Sequence, residues 1–132
     1  MTISRSTPEA GYINSEIFKQ LNVSQTVRTG NLVFFSGIVA AKGNMEIVGK
    51  GDPAAQVKFV LEVLGRLLAA EQLSFGNLVS VTVYTPILGA LMQHIGLFVE
   101  AFKGHPPCFS AVGVKDLASP DYLLELIATA SA

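Results

Sequence analysis

Charge is scarce in this chain. Only 14% of its 132 residues are Asp, Glu, Lys or Arg, against roughly a quarter in an ordinary soluble domain. Nine Lys and Arg stand against ten Asp and Glu for a formal net charge of −1. They are scattered without clusters, so there is no basic patch for nucleic acid. Cysteine occurs once, as Cys108, which excludes an internal disulfide and says little about compartment. Two histidines, His94 and His105, do not make a zinc site with a single thiol, so neither a metal nor another cofactor is expected. No apolar run reaches the ~18 residues of a membrane span, and there is no repeat, low-complexity tract or linker. Met1–Arg5 lacks the basic-then-apolar order of a secretory signal. Together these absences point to one cytoplasmic domain over residues 1–132, without membrane or nucleic-acid partners.

What the chain has instead is apolar surface: half of its residues are hydrophobic. After an irregular start to about Leu21, Ser24 to Arg28 reads as a strand. The turn Thr29-Gly30-Asn31 leads into Leu32 to Val39, a continuous apolar run expected to be a strand buried on both faces. Gly43-Asn44 is a second turn, and Met45 to Val48 a short strand. Asp52 as N-cap and Pro53 at the first helical position open a helix to about Gln72. Its stripe is Val57, Val60, Leu61, Leu64, Leu67 and Leu68. Leu78 to Thr85 alternates as a strand with one polar face.

A second helix is expected from about Gly89 to Lys103, with Leu91, Ile95, Phe98 and Phe102 on one face and Gly104 as its stop. Strands Cys108 to Val114 and Tyr122 to Ala130 complete the order β-β-(β)-α-β-α-β-β. This is an α+β fold, with two helices on one face of a mixed sheet by the right-handed crossover rule. The opposite face is then bare, and the runs that form it are too apolar to be wet. The expected partner is another copy of the chain.

Several motifs carry a resemblance. Ser24-Gln25-Thr26-Val27-Arg28-Thr29-Gly30-Asn31, Phe35-Ser36-Gly37, Glu100-Ala101-Phe102 with His105-Pro106-Pro107, and Leu124-Glu125 follow one another in the order and spacing of the Rid (YjgF/YER057c/UK114) family. From about Ser24 to Ala130 the chain resembles those proteins. The resemblance implies the chorismate-mutase-like fold, a homotrimer enclosing a β-barrel, and clefts between subunits that take small molecules. In the deaminase branch those clefts hydrolyse imino or enamino acids to a keto acid and ammonia, with an arginine gripping the substrate carboxylate and a glutamate serving proton transfer.

The resemblance places the glutamate at Glu125 and the cleft-lining serine and glycine at Ser36 and Gly37. Phe109 stands where the arginine would be, and with Cys108 beside it is expected to line the substrate cleft. Val23 replaces a usual tyrosine, and Gly96 falls near a helix asparagine. Read from the residues alone, Glu125 is either an edge carboxylate reaching water or a cationic partner, or a carboxylate lining a cleft. Phe109 reads as a core or interface aromatic that also makes any cleft more apolar. Ser36 reads as a ligand donor or as a small residue beside Gly37 that permits close strand packing. Tyr84 and Thr85 border a cleft or form a solvated rim.

Three functions follow. The first is a Rid-like imine or enamine deaminase with non-standard anchoring. The second is a non-catalytic ligand-binding or regulatory trimer. The third, an endoribonuclease or translation inhibitor, ranks last because basic patch and paired histidines are both missing.

Overall fold

A computed structural model describes residues 2–132. Its centre is a seven-stranded sheet. β1 (Ile3–Ser6), β2 (Thr26–Thr29) and β3 (Leu32–Phe35) form an antiparallel series. β3 and the two-residue β4 (Ile38–Val39) both pair with the C-terminal strand, and a small hairpin of β5 (Ala41–Lys42) and β6 (Glu46–Ile47) stands apart from the main sheet. β7 (Leu78–Thr85) pairs in parallel with β8 (Cys108–Gly113) and antiparallel with β9 (Glu125–Ser131), so β9 lies between β3 and β7. The helices are α1 (Ser15–Gln20), α2 (Pro53–Ala70), α3 (Leu88–Met92) and α4 (Ile95–Ala101). Among the described residues, no helix is long and apolar enough to cross a membrane.

α2 forms where its start signals and stripe coincide. The Asp52 carboxylate accepts from the Ala55 N–H at 3.1 Å, and Pro53 follows it at the first helical position, where its missing donor costs nothing. Val57, Val60, Leu64, Leu67 and Leu68 are each at most 1% exposed, and each contributes about 1.5–3 kcal/mol on burial. They meet Val33, Phe35, Ile38, Val81, Val83, Leu124, Leu126 and Ala128 from the sheet, with Leu91 and Phe98 from α3 and α4, in one core.

The other sheet face is bare, as its strand pattern requires. Ile3, Leu32, Phe34, Val112 and Ile127 share it and are between 38 and 51% exposed.

Four expectations are corrected by the coordinates. The run 32–39 is not one strand buried on both faces. Phe34 pairs with Thr129, yet Ile38 pairs with Leu126, so the register slips by one residue between them. That slip is a β-bulge, and it reverses the inside–outside alternation. It lets Val33, Phe35 and Ile38 all point into the core while Leu32 and Phe34 face outward.

The start is not irregular. β1 docks on β2, and α1 buries Phe18 beneath the Tyr12 ring; both elements are too short to announce themselves by periodicity.

The second helix is two. At Gln93 and His94 the backbone N–H groups donate three residues back rather than four, tightening the chain into a break. The stripe Leu91, Phe98, Phe102 survives this break and is buried. The last strand starts at Glu125 rather than Tyr122, because residues 122–124 approach the sheet outside its ladder.

Candidate active site

Glu125 is a carboxylate placed at the start of β9, opposite Tyr84 on β7 and Val39 on β4. Its neighbours Leu124 and Leu126 are fully buried, so strand alternation turns Glu125 onto the bare face. There it is half-buried, and among the described residues no hydrogen bond or ion pair holds its carboxyl. Burial therefore pushes its pKa above the usual glutamate range, as desolvation does to an anion without a compensating partner.

The seat of that carboxyl is the bulge. A Cβ on Gly37 would stand 2.5 Å from Glu125 Oε2 and 2.8 Å from Cδ. Only glycine leaves room for the carboxyl to lie against the chain here. Next to it, Ser36 is tied on three sides. Its hydroxyl donates to the Ser24 carbonyl at 2.7 Å and its N–H to the Gln25 carbonyl at 2.9 Å, while the Gln25 side-chain amide donates to the Ser36 carbonyl at 3.3 Å. The Ser36 hydroxyl hydrogen is thus spent on the fold, which leaves its oxygen to act only as an acceptor. Val23, exposed, directly precedes the Ser24 whose carbonyl receives that hydroxyl.

Two phenols flank the carboxyl electrostatically. Tyr12 reaches from the N-terminal segment, and its oxygen accepts from the Val39 N–H at 2.9 Å, which fixes the strand residue opposite Glu125. Burial pushes the Tyr12 phenol well above its ordinary pKa, only partly offset by that hydrogen bond, and the charges of Tyr122 and Glu125 add to the shift. Burial, and then Glu125, raise Tyr122 as well.

The other expected site residues lie elsewhere. Phe109 pairs with Val81 and faces the helix layer, where its ring packs 5.3 Å from Phe98 and 5.9 Å from Phe102. With Ile95, Val99 and Pro106 it lines an apolar groove of ≈ 450 Å³. Cys108 points the opposite way, exposed and opposite Ser80. Gly96 lies in the first turn of α4, with open space where a side chain would begin.

Val81 is three residues from Tyr84 along β7, and β8 and β9 flank that strand on either side. Strand geometry then separates the backbones of Phe109 and Glu125 by about 14 Å, on opposite faces. The chain brings together Ser36, Gly37, Glu125 and the Val23 segment, and leaves Phe109, Cys108 and Gly96 out. Thr85 is no solvated rim: it is fully buried, and its hydroxyl donates to the Leu123 carbonyl at 2.7 Å.

Two groups near the site are absent from the sequence reading, Tyr12 and Gln56. Gln56 had a signal, a polar residue one turn before Val60 on the apolar stripe of α2; the buried side chain accepts from the Leu123 N–H. Tyr12 had none, since its role depends on contacts far along the chain.

Known proteins share this architecture. Residues 15–132 match the family model described as Endoribonuclease L-PSP. A RutC family protein of Pyrococcus horikoshii is 30% identical over 107 residues, covering 81% of this chain and 84% of its own. Among solved structures, a putative endoribonuclease of Thermotoga maritima superposes with a TM-score of 0.84 at 26% identity, covering 98% of both chains. A Mycobacterium tuberculosis member of the YjgF/YER057c/UK114 family does so with a TM-score of 0.82 at 23% identity, covering 99% of this chain and 100% of the other.

Proposed function

Because the chain belongs to the Endoribonuclease L-PSP family, the Rid (YjgF/YER057c/UK114) family, we propose that it is a cytoplasmic homotrimer. Its inter-subunit clefts hydrolyse a small imine or enamine, with Glu125 transferring the protons. The observation that carries this reading is the half-buried, unpartnered Glu125 carboxyl seated on Gly37. Its raised pKa brings it nearer to neutral pH, where a general acid–base group works best. In the proposed reaction the carboxylate takes a proton from water as the water oxygen bonds to the imine carbon. The carboxyl gives that proton to the imine nitrogen, leaving a carbinolamine. It then relays the carbinolamine hydroxyl proton to nitrogen as the carbon–nitrogen bond breaks, so that both protons of the water end on ammonia and the oxygen stays in the carbonyl compound.

The bare apolar sheet face supports assembly of this kind. Leu32, Phe34 and Ile127 would leave water there, and the low charge of the chain finds its reason. Gly37 and Glu125 lie on or beside that face, so a neighbouring copy would complete the wall of the cleft. Phe109 separates this chain from the deaminase pattern, because a phenyl ring offers no fork for a carboxylate. The substrate is then held by something other than arginine.

Phe109 also favours a second reading, a non-catalytic trimer that binds a ligand in the same clefts. Ribonuclease action has less support, since phosphate backbones attract basic patches and the net charge here is −1.

Ammonia release from 2-aminoacrylate or 2-iminobutyrate generated in situ tests the proposal, with the assembly mass measured alongside. Turnover by the wild type and its loss in Glu125→Gln support the enzyme. No turnover by the wild type, with a small ligand still bound, would move the conclusion to the binding protein, and a monomer would sink the cleft altogether.

A further inference from the structure

The ladder of β9 ends at Glu125, where Tyr84 and Val39 are its last partners. The approach through residues 121–124 has no sheet neighbours, yet Leu124 is completely buried. Peptide groups in such a segment need partners, since an unpaired buried donor or acceptor costs about 1–3 kcal/mol. Two buried side chains supply them. The Leu123 N–H donates to Gln56 Oε1 at 2.9 Å, and the Leu123 carbonyl accepts from Thr85 Oγ1 at 2.7 Å.

Each partner is itself fully engaged. The Gln56 amide donates to the Asp121 carbonyl at 3.0 Å and to the Gly49 carbonyl at 3.3 Å, and the Thr85 hydroxyl accepts from the Ile87 N–H at 3.1 Å. Both residues are 0% exposed.

Neither polar group suits its element. Gln56 stands at the head of the buried face of α2, one turn before Val60, and Thr85 occupies the next inward position after Val81 and Val83, where a third valine would fit the pattern. α2 and β7 thus each give up an apolar contact to grip the backbone of one residue from the two peptide groups that flank it. Leu123 lies two residues before Glu125, the strand repeat that sets where the Glu125 side chain points.

We propose that Gln56 and Thr85 are positioning residues. They hold Leu123 from both sides so that β9 joins the sheet with the Glu125 carboxyl against Gly37. The catalytic part of this inference rests on the reading of Glu125 given above; the seating of the carboxyl does not.

The test uses the full-length assembled protein carrying Thr85→Val, which removes the hydroxyl at constant shape, or Thr85→Ser, which keeps it. Carbon-detected NMR follows the ionisation of the Glu125 carboxyl, and ammonia release is measured in parallel. Tyr12 and Tyr122, the phenols coupled to the carboxyl, stay neutral through that titration, and Tyr84 lies opposite on β7, so the midpoint reports on the seat.

In Thr85→Val the loosened carboxyl reaches water and its midpoint falls toward that of an ordinary glutamate. The turnover rate drops between about 10-fold and 100-fold at unchanged half-saturation, and Thr85→Ser restores both. Gln56→Met, of similar length without the hydrogen bonds, repeats the test from the helix side if Thr85→Val does not fold. Variants that lose thermal stability while the Glu125 midpoint stays at its wild-type value would overturn the proposal. If no variant and no wild type releases ammonia, the deaminase reading falls, and the titration still decides the clamp.

Discussion

Replacing Gly37 by alanine separates the two things the bulge does, folding the chain and seating a carboxyl. The added methyl carbon would stand 2.5 Å from Glu125 Oε2, 2.8 Å from Cδ and 3.0 Å from Cγ. All three are atoms of one side chain, and no backbone atom is so close. The overlap is therefore relieved by turning Glu125 away, at an off-rotamer cost of about 0.5–1.5 kcal/mol. Gly37 is not among the residues with positive φ, so alanine tolerates its backbone and lowers the entropy of the unfolded chain, a gain of about 0.4–1 kcal/mol.

The two effects nearly cancel. Gly37→Ala should stay within about 1 kcal/mol of the wild type, which at this chain length is a melting shift of about 3–5 °C. Activity should behave differently, because a proton-transfer group moved off its geometry forfeits much of its 10²–10⁴-fold contribution. Calorimetry and ammonia release on the same preparations check both halves. In a cycle with Glu125→Gln, the two losses should overlap rather than add. Full activity in Gly37→Ala would refute the seating argument. So would a melting loss of more than about 10 °C, which would mean that alanine meets unyielding backbone.

Other outcomes follow from the same coordinates. Glu125→Gln should alter the pH dependence of stability. A carboxyl with a raised folded pKa binds more protons folded than unfolded, so its ionisation opposes folding above the raised value and has no effect below the ordinary one. The variant should therefore melt higher than the wild type at neutral pH, and the advantage should vanish as the pH falls to about 4; an advantage independent of pH would contradict the burial. Asp52→Ala should cost about 1 kcal/mol through the lost cap of α2, seen as a lower denaturant midpoint with an unchanged slope. Phe109→Arg should cost about 2–3 kcal/mol, since it breaks the cluster with Phe98 and Phe102; a neutral change would mean that the ring does not pack as described.

Much of the fold was legible because its signals are local. Asp52-Pro53 and a stripe at helical spacing define α2, and the alternation from Leu78 to Thr85 defines β7, with nothing else needed. The run from Leu32 to Val39 departs from one continuous strand for a physical reason. A bulge leaves no mark in composition, and a strand that changes its inward parity looks apolar on both faces. The break at Gln93 and His94 was hidden likewise, because the buried stripe runs across it.

At the site, Glu125 could be singled out as a charge among leucines, and Ser36 and Gly37 through their motif. The contact between Gly37 and Glu125 joins positions far apart in the chain, as does the grip of Gln56 and Thr85 on Leu123. Such pairings exist only once β9 has a register. Phe109 was expected in the same cleft, but adjacent strand residues face opposite ways, and sequence does not say which of Cys108 and Phe109 turns toward the helices.

The claim that Glu125 transfers the proton is tested most directly by the pH dependence of ammonia release in the wild type and in Glu125→Gln. A base must be ionised to act, so the wild-type rate should fall with acid along a limb centred above the ordinary glutamate range. Glu125→Gln should lose that limb, together with about 10²–10⁴-fold in rate. An equally fast Glu125→Gln with an unchanged pH profile would contradict the account.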